Sequence, residues 1–142
     1  MIGRIDHVGI AVRSIEESRR FYEALGLRVE EIEEVPQEGV RVAMISCGDS
    51  RIELLEPTRE DSPVAKYLDR QGEGIHHLCF ASDDLETDDA SLRESGYRLI
   101  RDRPTRGAGG SRVQFVHPKS AGGVLVELSQ PAREAGPGED AE

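Results

Sequence analysis

The chain has 142 residues, of which 37% are hydrophobic and 32% are charged, and its formal net charge at pH 7 is −10. This length and composition are typical of one water-soluble domain, and the acidity argues against nucleic acid partners and anionic membrane surfaces. No apolar run approaches the ~20 residues that cross a bilayer, and no signal-peptide core is present, so we expect a cytoplasmic protein without membrane contact.

The first 57 residues predict a strand, a helix and three further strands. Residues 5–12 alternate between apolar and other side chains, which is typical of a strand that buries one face. Ser14 is suited to cap the following helix because Glu17 lies three residues further on, and Gly26 is a typical helix terminator. The later strands are predicted at residues 27–33, 40–47 and 51–55.

Residues 58–73 are predicted to link two halves of the chain, with a short helix that begins at Ser62-Pro63 and ends at Gly72. The pattern of the first half then restarts at residue 74. We predict a strand from residue 75, a helix over 84–95, and strands at 97–101, 112–117 and 124–129. Residues 131–142 are acidic and lack apolar periodicity, so we predict a disordered tail.

The two halves align as an internal repeat. An offset of 70 residues superposes His7 on His77, and an offset of 74 superposes Glu53 on Glu127. The difference fits a longer loop around the glycine-rich segment 107–111. Because the order of the elements is also shared, we interpret the chain as one α+β domain over 1–130. Its two tandem βαβββ modules would span 1–57 and 74–130.

Four polar residues occupy equivalent positions in this repeat: His7, Glu53, His77 and Glu127. Each lies inside a predicted strand, on the face opposite to its apolar neighbours. A carboxylate in the middle of a half-buried strand is costly unless it is paired or bound to a metal. Two imidazoles and two carboxylates that meet at one point form a typical divalent metal site, and we predict that these four residues bind one ion.

His76 precedes His77 and competes for the same role. It shares a strand face with Leu78 and Phe80, so the alternation of side chains assigns the ligand role to His77. An octahedral ion with four protein ligands keeps about two open positions, through which a substrate could chelate by two oxygens. The residues alone leave the choice among Mn, Co, Fe, Ni, Zn and Mg open.

Four motifs carry a family resemblance. DHVGIAV at 6–12 is general to a large superfamily, whereas IELLEP at 52–57, GEGIHH at 72–77 and GGVLVEL at 122–128 are more specific. Together they resemble the vicinal oxygen chelate superfamily and, within it, the methylmalonyl-CoA epimerase branch. The resemblance extends over nearly the whole chain, from Ile5 to Leu128.

This resemblance implies that the two modules form a cupped mixed sheet around a divalent metal, often cobalt. It also implies a homodimeric enzyme that interconverts (R)- and (S)-methylmalonyl-CoA by removing and returning the proton on the α-carbon. By position, His7, His77 and Glu127 match the family's metal ligands, and Glu53 falls where a fourth ligand, Gln or Glu, is found. Glu127 and Glu53 are the candidates for the two acid/base groups of the reaction.

One position departs from part of the family. Some epimerases have a glutamate, a proposed base, where this chain has Val42, and valine cannot transfer a proton. Two alternative functions therefore remain open. One is a glyoxalase I-type isomerase or another lyase of the superfamily, and the other is a metal-free drug-binding resistance protein.

The substrate implied by the resemblance carries phosphate groups on its coenzyme A moiety. Cationic side chains near the glycine-rich segment could contact them, with help from backbone N–H groups. The candidates are Arg101, Arg103, Arg106 and Lys119.

Overall fold

The computed structural model describes residues 1–132, in which a curled eight-stranded mixed sheet is combined with three α-helices. The first half forms β1 (Ile2–Ala11), α1 (Ile15–Ala24), β2 (Val29–Val35), β3 (Val40–Cys47) and β4 (Ser50–Pro57). After α2 (Pro63–Gln71), the second half forms β5 (Gly74–Ser82), α3 (Leu85–Glu94), β6 (Thr105–Arg106), β7 (Arg112–Val116) and β8 (Val126–Gln130). The predicted α+β class with a cupped mixed sheet is confirmed.

The order of the strands shows how the two halves meet. The sheet runs β2-β3-β4-β1-β5-β8-β7-β6, so that β1 and β5 lie antiparallel at its centre. In each half the last strand is parallel to the first, β4 to β1 and β8 to β5. Glu53 and Glu127 each pair with the residue two positions beyond the histidine of their own half. The two halves therefore share one register, as the offsets of the internal repeat require.

Apolar side chains cover both faces of the sheet. On the outer face, Ile15 of α1 packs with Leu54, and Leu85 of α3 packs with Leu128. On the inner face, which carries the two histidines, Val64 of α2 packs with residues of β1, β3 and β4. Burial of these side chains is the main force that fixes the strand faces, and hence the direction of the polar residues between them.

The ends of the helices follow their sequence signals. The Ser14 hydroxyl accepts a hydrogen bond from the Glu17 backbone N–H at 3.2 Å, and the Ser62 hydroxyl accepts one from Ala65 at 3.0 Å. Gly72 ends α2 with a φ of 76°, a backbone angle that favours glycine. These predicted caps are confirmed.

The predicted strand over 97–101 is wrong as a regular strand, because Leu99 forms only an isolated bridge with Val116. The backbone groups of Arg101 bond to the fully buried side-chain amide of Gln114 and not to the backbone of the adjacent strand. The Gln114 Oε1 accepts from the Arg101 N–H at 3.2 Å, and its Nε2 donates to the Arg101 carbonyl at 2.9 Å. A side chain thus takes over the backbone bonds, and the strand pairing stops.

Within residues 1–132, no helix is long and apolar enough to cross a membrane. Of the predicted tail, only Pro131 and Ala132 are described; residues 133–142 lie outside the described part of the chain. The disorder of the tail therefore stays a prediction. The division of residues 1–130 into two modules and a linker likewise stays a proposal.

Candidate metal centre and active site

Three side chains from three strands meet on the inner face of the sheet: His7 of β1, His77 of β5 and Glu127 of β8. The two histidine Nε2 atoms lie 3.0 Å apart. Glu127 Oε1 lies 3.2 Å from His7 Nε2 and 2.9 Å from His77 Nε2. All three residues are buried. We call these residues the donor group.

The donor group fits a divalent metal. Ligand atoms bound about 2.1 Å from one ion, at right angles to each other, lie about 3 Å apart, which is the spacing of this triangle. Imidazole nitrogen together with carboxylate oxygen is a ligand set that Zn, Co, Mn, Ni and Fe accept. The donor group is therefore the candidate metal centre.

The surroundings of the donor group carry an excess of buried negative charge. Asp6, Glu53 and Glu127 are buried, and Arg51 pairs with the first two at 3.0 Å. Burial alone would lower the pKa of His7, but hydrogen bonds, above all with Asp6, raise this pKa to about 12. Burial would raise the pKa of Glu127, but the two histidines hold it far below its usual range. The protonated His7 ring thus compensates part of the negative charge of the buried carboxylates. A divalent ion bound to the donor group could compensate this charge instead of the proton.

Glu53 of β4 lies beside the donor group but outside the triangle. Its Oε2 is 3.2 Å from Nδ1 of His7, the ring nitrogen that faces away from His77. The same oxygen accepts a hydrogen bond from Arg51 at 3.0 Å. The atoms of His7, His77 and Glu127 are close enough to share one ion, and Glu53 is not part of that set. The structure thus gathers all four predicted residues but places only three around one point.

Two neighbours of the donor group have contacts that the sequence does not predict: Asp6, which it does not single out, and His76, which it places on the opposite strand face. Asp6 Oδ2 lies 2.8 Å from His7 Nδ1, and His76 Nδ1 lies 2.9 Å from His77 Nδ1. His76 stays outside the donor group, but its ring lines a cavity beside the donor group, and burial lowers its pKa to about 4. The signal that could have revealed both residues is their position directly before the two histidines.

Gly9 gives the His77 ring its space. The two residues face each other across β1 and β5, and a Cβ atom added to Gly9 would lie 2.2 Å from His77 Cε1. Real Cβ atoms essentially never approach a neighbour closer than 3.0 Å. The sequence shows this glycine only as part of the strand, so its link to the site needed the structure.

Gly9→Ala is expected to weaken metal binding by roughly tenfold or more, a loss of about 1.4 kcal/mol, because the His77 ring must leave the triangle. Competition with a chromophoric chelator for cobalt measures this affinity. Gly3→Ala is the matched control on the same strand, since a Cβ there meets nothing within 4 Å. Equal affinities of the two variants would contradict the role given to Gly9.

An apolar cavity of about 220 Å³ opens beside the donor group. Its walls come from both halves and include Val42, Leu55, Val113, Phe115 and Leu125 together with Glu53, His77 and Glu127. Val42 faces inward, diagonally across β3 and β4 from Glu53. The cavity therefore presents Glu53 and two members of the donor group, His77 and Glu127, to a ligand that is surrounded mainly by apolar side chains.

Arg101 lies at the rim of this cavity. Its guanidinium stacks on the ring of Phe115 at 4.8 Å and donates a hydrogen bond to Glu38 at 2.6 Å. Arg101 and Glu38 also line an adjoining polar groove that contains Arg106. The other two predicted cations, Arg103 and Lys119, are exposed and line neither space.

Comparisons with known proteins identify the family of this chain. Residues 6–115 match the Glyoxalase/Bleomycin resistance protein/Dioxygenase superfamily. The ethylmalonyl-CoA/methylmalonyl-CoA epimerase of Cereibacter sphaeroides is 41% identical over 92% of this chain and 99% of its own length. The human mitochondrial methylmalonyl-CoA epimerase is 39% identical over 91% of this chain and 74% of its own length. A variant of the Streptomyces coelicolor methylmalonyl-CoA epimerase, solved with 2-nitronate-propionyl-CoA, superposes with a TM-score of 0.89 at 44% identity, covering 94% of this chain and all of its own.

Proposed function

This chain belongs to the glyoxalase/bleomycin resistance protein/dioxygenase superfamily and, within it, to the methylmalonyl-CoA epimerases, and from this premise we propose that it interconverts (R)- and (S)-methylmalonyl-CoA in a metal-dependent reaction. The observation that carries the proposal is the donor group, which lies beside an apolar cavity together with a further buried carboxylate, Glu53. The reaction removes an acidic proton from a carbon between a thioester and a carboxylate, and returns a proton to the opposite face.

We propose that His7, His77 and Glu127 hold the metal and that Glu53 is its fourth ligand. A divalent ion held by these residues would supply a Lewis acid that stabilises negative charge on a substrate oxygen. The resemblance favours cobalt, and the nitrogen and oxygen ligands are also compatible with Mn, Ni, Fe, Zn or Mg. The compact triangle of donor atoms supports the assignment of His7, His77 and Glu127, whereas the assignment of Glu53 rests on the resemblance.

Glu53 and Glu127 are the proposed acid/base groups. Glu53 Oε2 is held by Arg51, so its Oε1 is assigned to carry the proton. Glu127 Oε1 lies within the triangle of donor atoms, so its Oε2 is assigned to the opposite face of the substrate. The apolar walls of the cavity limit the access of water to both carboxylates during proton transfer.

The proposed coenzyme A contact is Arg101, supported by its place at the rim between the apolar cavity and the polar groove. In the groove, Arg106 adds a second positive charge, whereas the acyl end would occupy the apolar cavity. A phosphate of the substrate would replace Glu38 as the partner of the Arg101 guanidinium.

Arg101→Ala is expected to raise the KM for methylmalonyl-CoA by roughly tenfold, because the variant loses one charge-assisted hydrogen bond to the substrate. The kcat should change little. Steady-state kinetics with the (S) epimer measure both constants. Arg103→Ala is the matched control, since it removes an exposed arginine two residues away that lines neither space. An unchanged KM for Arg101→Ala would remove this residue from the coenzyme A site.

We also propose that the protein is a cytoplasmic homodimer. Large apolar side chains at the C-terminal end of α1 support an interface between copies: Phe21 of the helix is 63% exposed, and Leu25, directly after it, is 61% exposed. Exposed apolar residues that lie one helical turn apart can form part of a contact surface between protein chains.

A direct assay separates the proposed function from its alternatives. Purified protein is loaded with cobalt and given single epimers of methylmalonyl-CoA, and the appearance of the other epimer is followed. The hemithioacetal of methylglyoxal and glutathione serves as the competing substrate, and bleomycin as the competing ligand. Conversion of the epimers alone supports the proposal, whereas turnover of the hemithioacetal or drug binding without epimerisation would replace it.

A further inference from the structure

We propose that Asp6 and His76 are positioning residues, which accept the ring Nδ1–H of His7 and His77 respectively and thereby direct both Nε2 atoms at the metal. This inference rests on the proposed function, because it assumes that the donor group binds a metal. It assigns a role to two residues that otherwise have no place in the reaction.

A β-bulge turns each of these residues toward its histidine. On β1, Asp6 is the extra residue between the pairs that Ile5 and His7 form with consecutive residues of β5. On β5, His76 is the extra residue between the pairs that Ile75 and His77 form with consecutive residues of β1. A bulge interrupts the alternation of side chains, so a residue can share the face of the next one along the chain. Both histidines are therefore preceded by the same local distortion.

The contacts are equivalent in the two halves. Asp6 Oδ2 lies 2.8 Å from His7 Nδ1, and His76 Nδ1 lies 2.9 Å from His77 Nδ1. The offset of 70 residues that superposes His7 on His77 also superposes Asp6 on His76. When a histidine binds a metal through Nε2, its Nδ1 carries the hydrogen and needs an acceptor, which fixes the orientation of the ring. Both acceptors are present.

Each positioning residue is itself held in place. Asp6 is 4% exposed, and its Oδ2 accepts a hydrogen bond from Arg51 at 3.0 Å. The His76 ring packs edge-on against Tyr67 at 5.0 Å between centroids, and the Tyr67 hydroxyl donates to the Ile75 carbonyl at 2.6 Å. Residues that are fixed in this way can hold a ligand ring within the narrow limits that a metal site requires.

Glu53 and Cys79 also lie close to the His7 ring, but a thiol is only a weak acceptor. Glu53 is therefore the carboxylate that competes with Asp6 for His7 Nδ1. Its Oε2 lies 3.2 Å from that atom, compared with 2.8 Å for Asp6. The ring nitrogen has a single hydrogen to donate, and the shorter contact assigns it to Asp6. Glu53 is thereby left available for the proton-transfer role proposed above.

The two positioning residues differ in charge, so the two histidines should differ as ligands. A carboxylate acceptor makes an imidazole a stronger ligand than a neutral acceptor does. His7, which donates to Asp6, is therefore the stronger of the two, and His77 is the ligand that a better acceptor could improve. His76→Asp would give His77 a carboxylate in the bulge position that Asp6 already occupies in the first half.

Metal affinity and proton NMR of the cobalt-loaded full chain test this proposal. The ring N–H of a cobalt-bound histidine gives an exchangeable signal far outside the diamagnetic range, so wild-type protein should show two. His76→Leu should weaken cobalt binding by roughly 10- to 100-fold and make one signal exchange too fast to observe. Asp6→Asn should perturb the other signal, and His76→Asp should bind cobalt more tightly than wild type.

His117→Leu is the matched control, because it makes the same substitution at an imidazole that belongs to no metal-binding group of the described residues, and it should keep wild-type affinity and both signals. If His76→Leu does not fold, the expected gain of affinity in His76→Asp still decides the matter. Wild-type affinity in His76→Leu, or weaker binding in folded His76→Asp, overturns this proposal alone. Wild-type protein that binds no cobalt overturns the proposed function as well.

Discussion

His77→Ala is expected to abolish stoichiometric cobalt binding and to reduce epimerase activity by roughly three orders of magnitude. The variant removes one corner of the donor triangle and leaves Glu127 without its 2.9 Å partner. A metal that stabilises developing negative charge contributes several kcal/mol to the transition state, and each 1.36 kcal/mol is about a factor of ten in rate. Equilibrium dialysis with metal analysis, together with the epimer assay, measures both losses.

His117→Ala provides the control for this prediction. It also removes an imidazole, but that ring accepts a hydrogen bond from the Lys119 backbone and belongs to no metal-binding group of the described residues. The control should bind one cobalt and retain most of its activity. An active, metal-loaded His77→Ala protein would show that the donor group is not the metal centre.

Glu53→Gln is expected to lower kcat by roughly 10²- to 10³-fold, because glutamine keeps an oxygen that can bind a metal but cannot carry the proton. The loss should be partly reversed by moving the carboxylate to the neighbouring strand. Val42 faces the same cavity and stands diagonally across β3 and β4 from Glu53. The double variant Val42→Glu with Glu53→Gln should therefore recover at least about tenfold of the lost kcat.

The recovery of kcat should depend on where the new carboxylate is placed, and not merely on the added negative charge. Val40 lies on the same strand, two residues from Val42, and also lines the cavity, opposite Pro57 and further from Glu53. Val40→Glu combined with Glu53→Gln should stay as slow as Glu53→Gln alone, with thermal melting used to confirm that each variant is folded. Full activity in Glu53→Gln would remove Glu53 from the proton-transfer step. Equal recovery from both positions would remove the geometric argument.

The sequence was sufficient to locate the donor group because the chain repeats itself. His7 alone is an isolated histidine in a strand, but the offset to His77 and the matching glutamates pointed to one shared site. In the structure, the register of β4 on β1 equals that of β8 on β5, so equivalent residues reach equivalent places. Periodicity and repeat thus carry enough information for the order of most elements along the chain and for the four polar residues that meet on one face.

The β-bulges at Asp6 and His76 could not be predicted from periodicity and repeat. Strict alternation placed His76 with Leu78 and Phe80, away from His77, whereas the bulge brings its Nδ1 to 2.9 Å from the His77 ring. A bulge depends on how two strands twist and pair, and Asp6 and His76 lie in segments whose own sequence shows nothing unusual. The close approach of Gly9 to the His77 ring is hidden for the same reason, because it involves the partner strand.

The edge of the second half also depends on contacts distant in sequence. Residues 97–101 have the composition of a strand, but the Gln114 side chain takes both backbone groups of Arg101. Gln114 is held in turn by Asp89 of α3 at 2.8 Å. The glycine-rich segment reaches across to the first half, where the Gly109 N–H donates to Glu33 at 2.9 Å. Local propensity cannot reveal such long-range polar contacts, and they shape the rim of the cavity.

Exchange of the α-proton tests the central claim most directly. Methylmalonyl-CoA is incubated in deuterium oxide with cobalt-loaded protein and with protein stripped by a chelator, and proton NMR follows the methyl doublet. The account predicts that the doublet collapses as deuterium enters the α-carbon with the metal-loaded protein, and persists with the stripped protein until cobalt is restored. An unchanged doublet with every divalent metal in the set Co, Mn, Ni, Fe, Zn and Mg would contradict it.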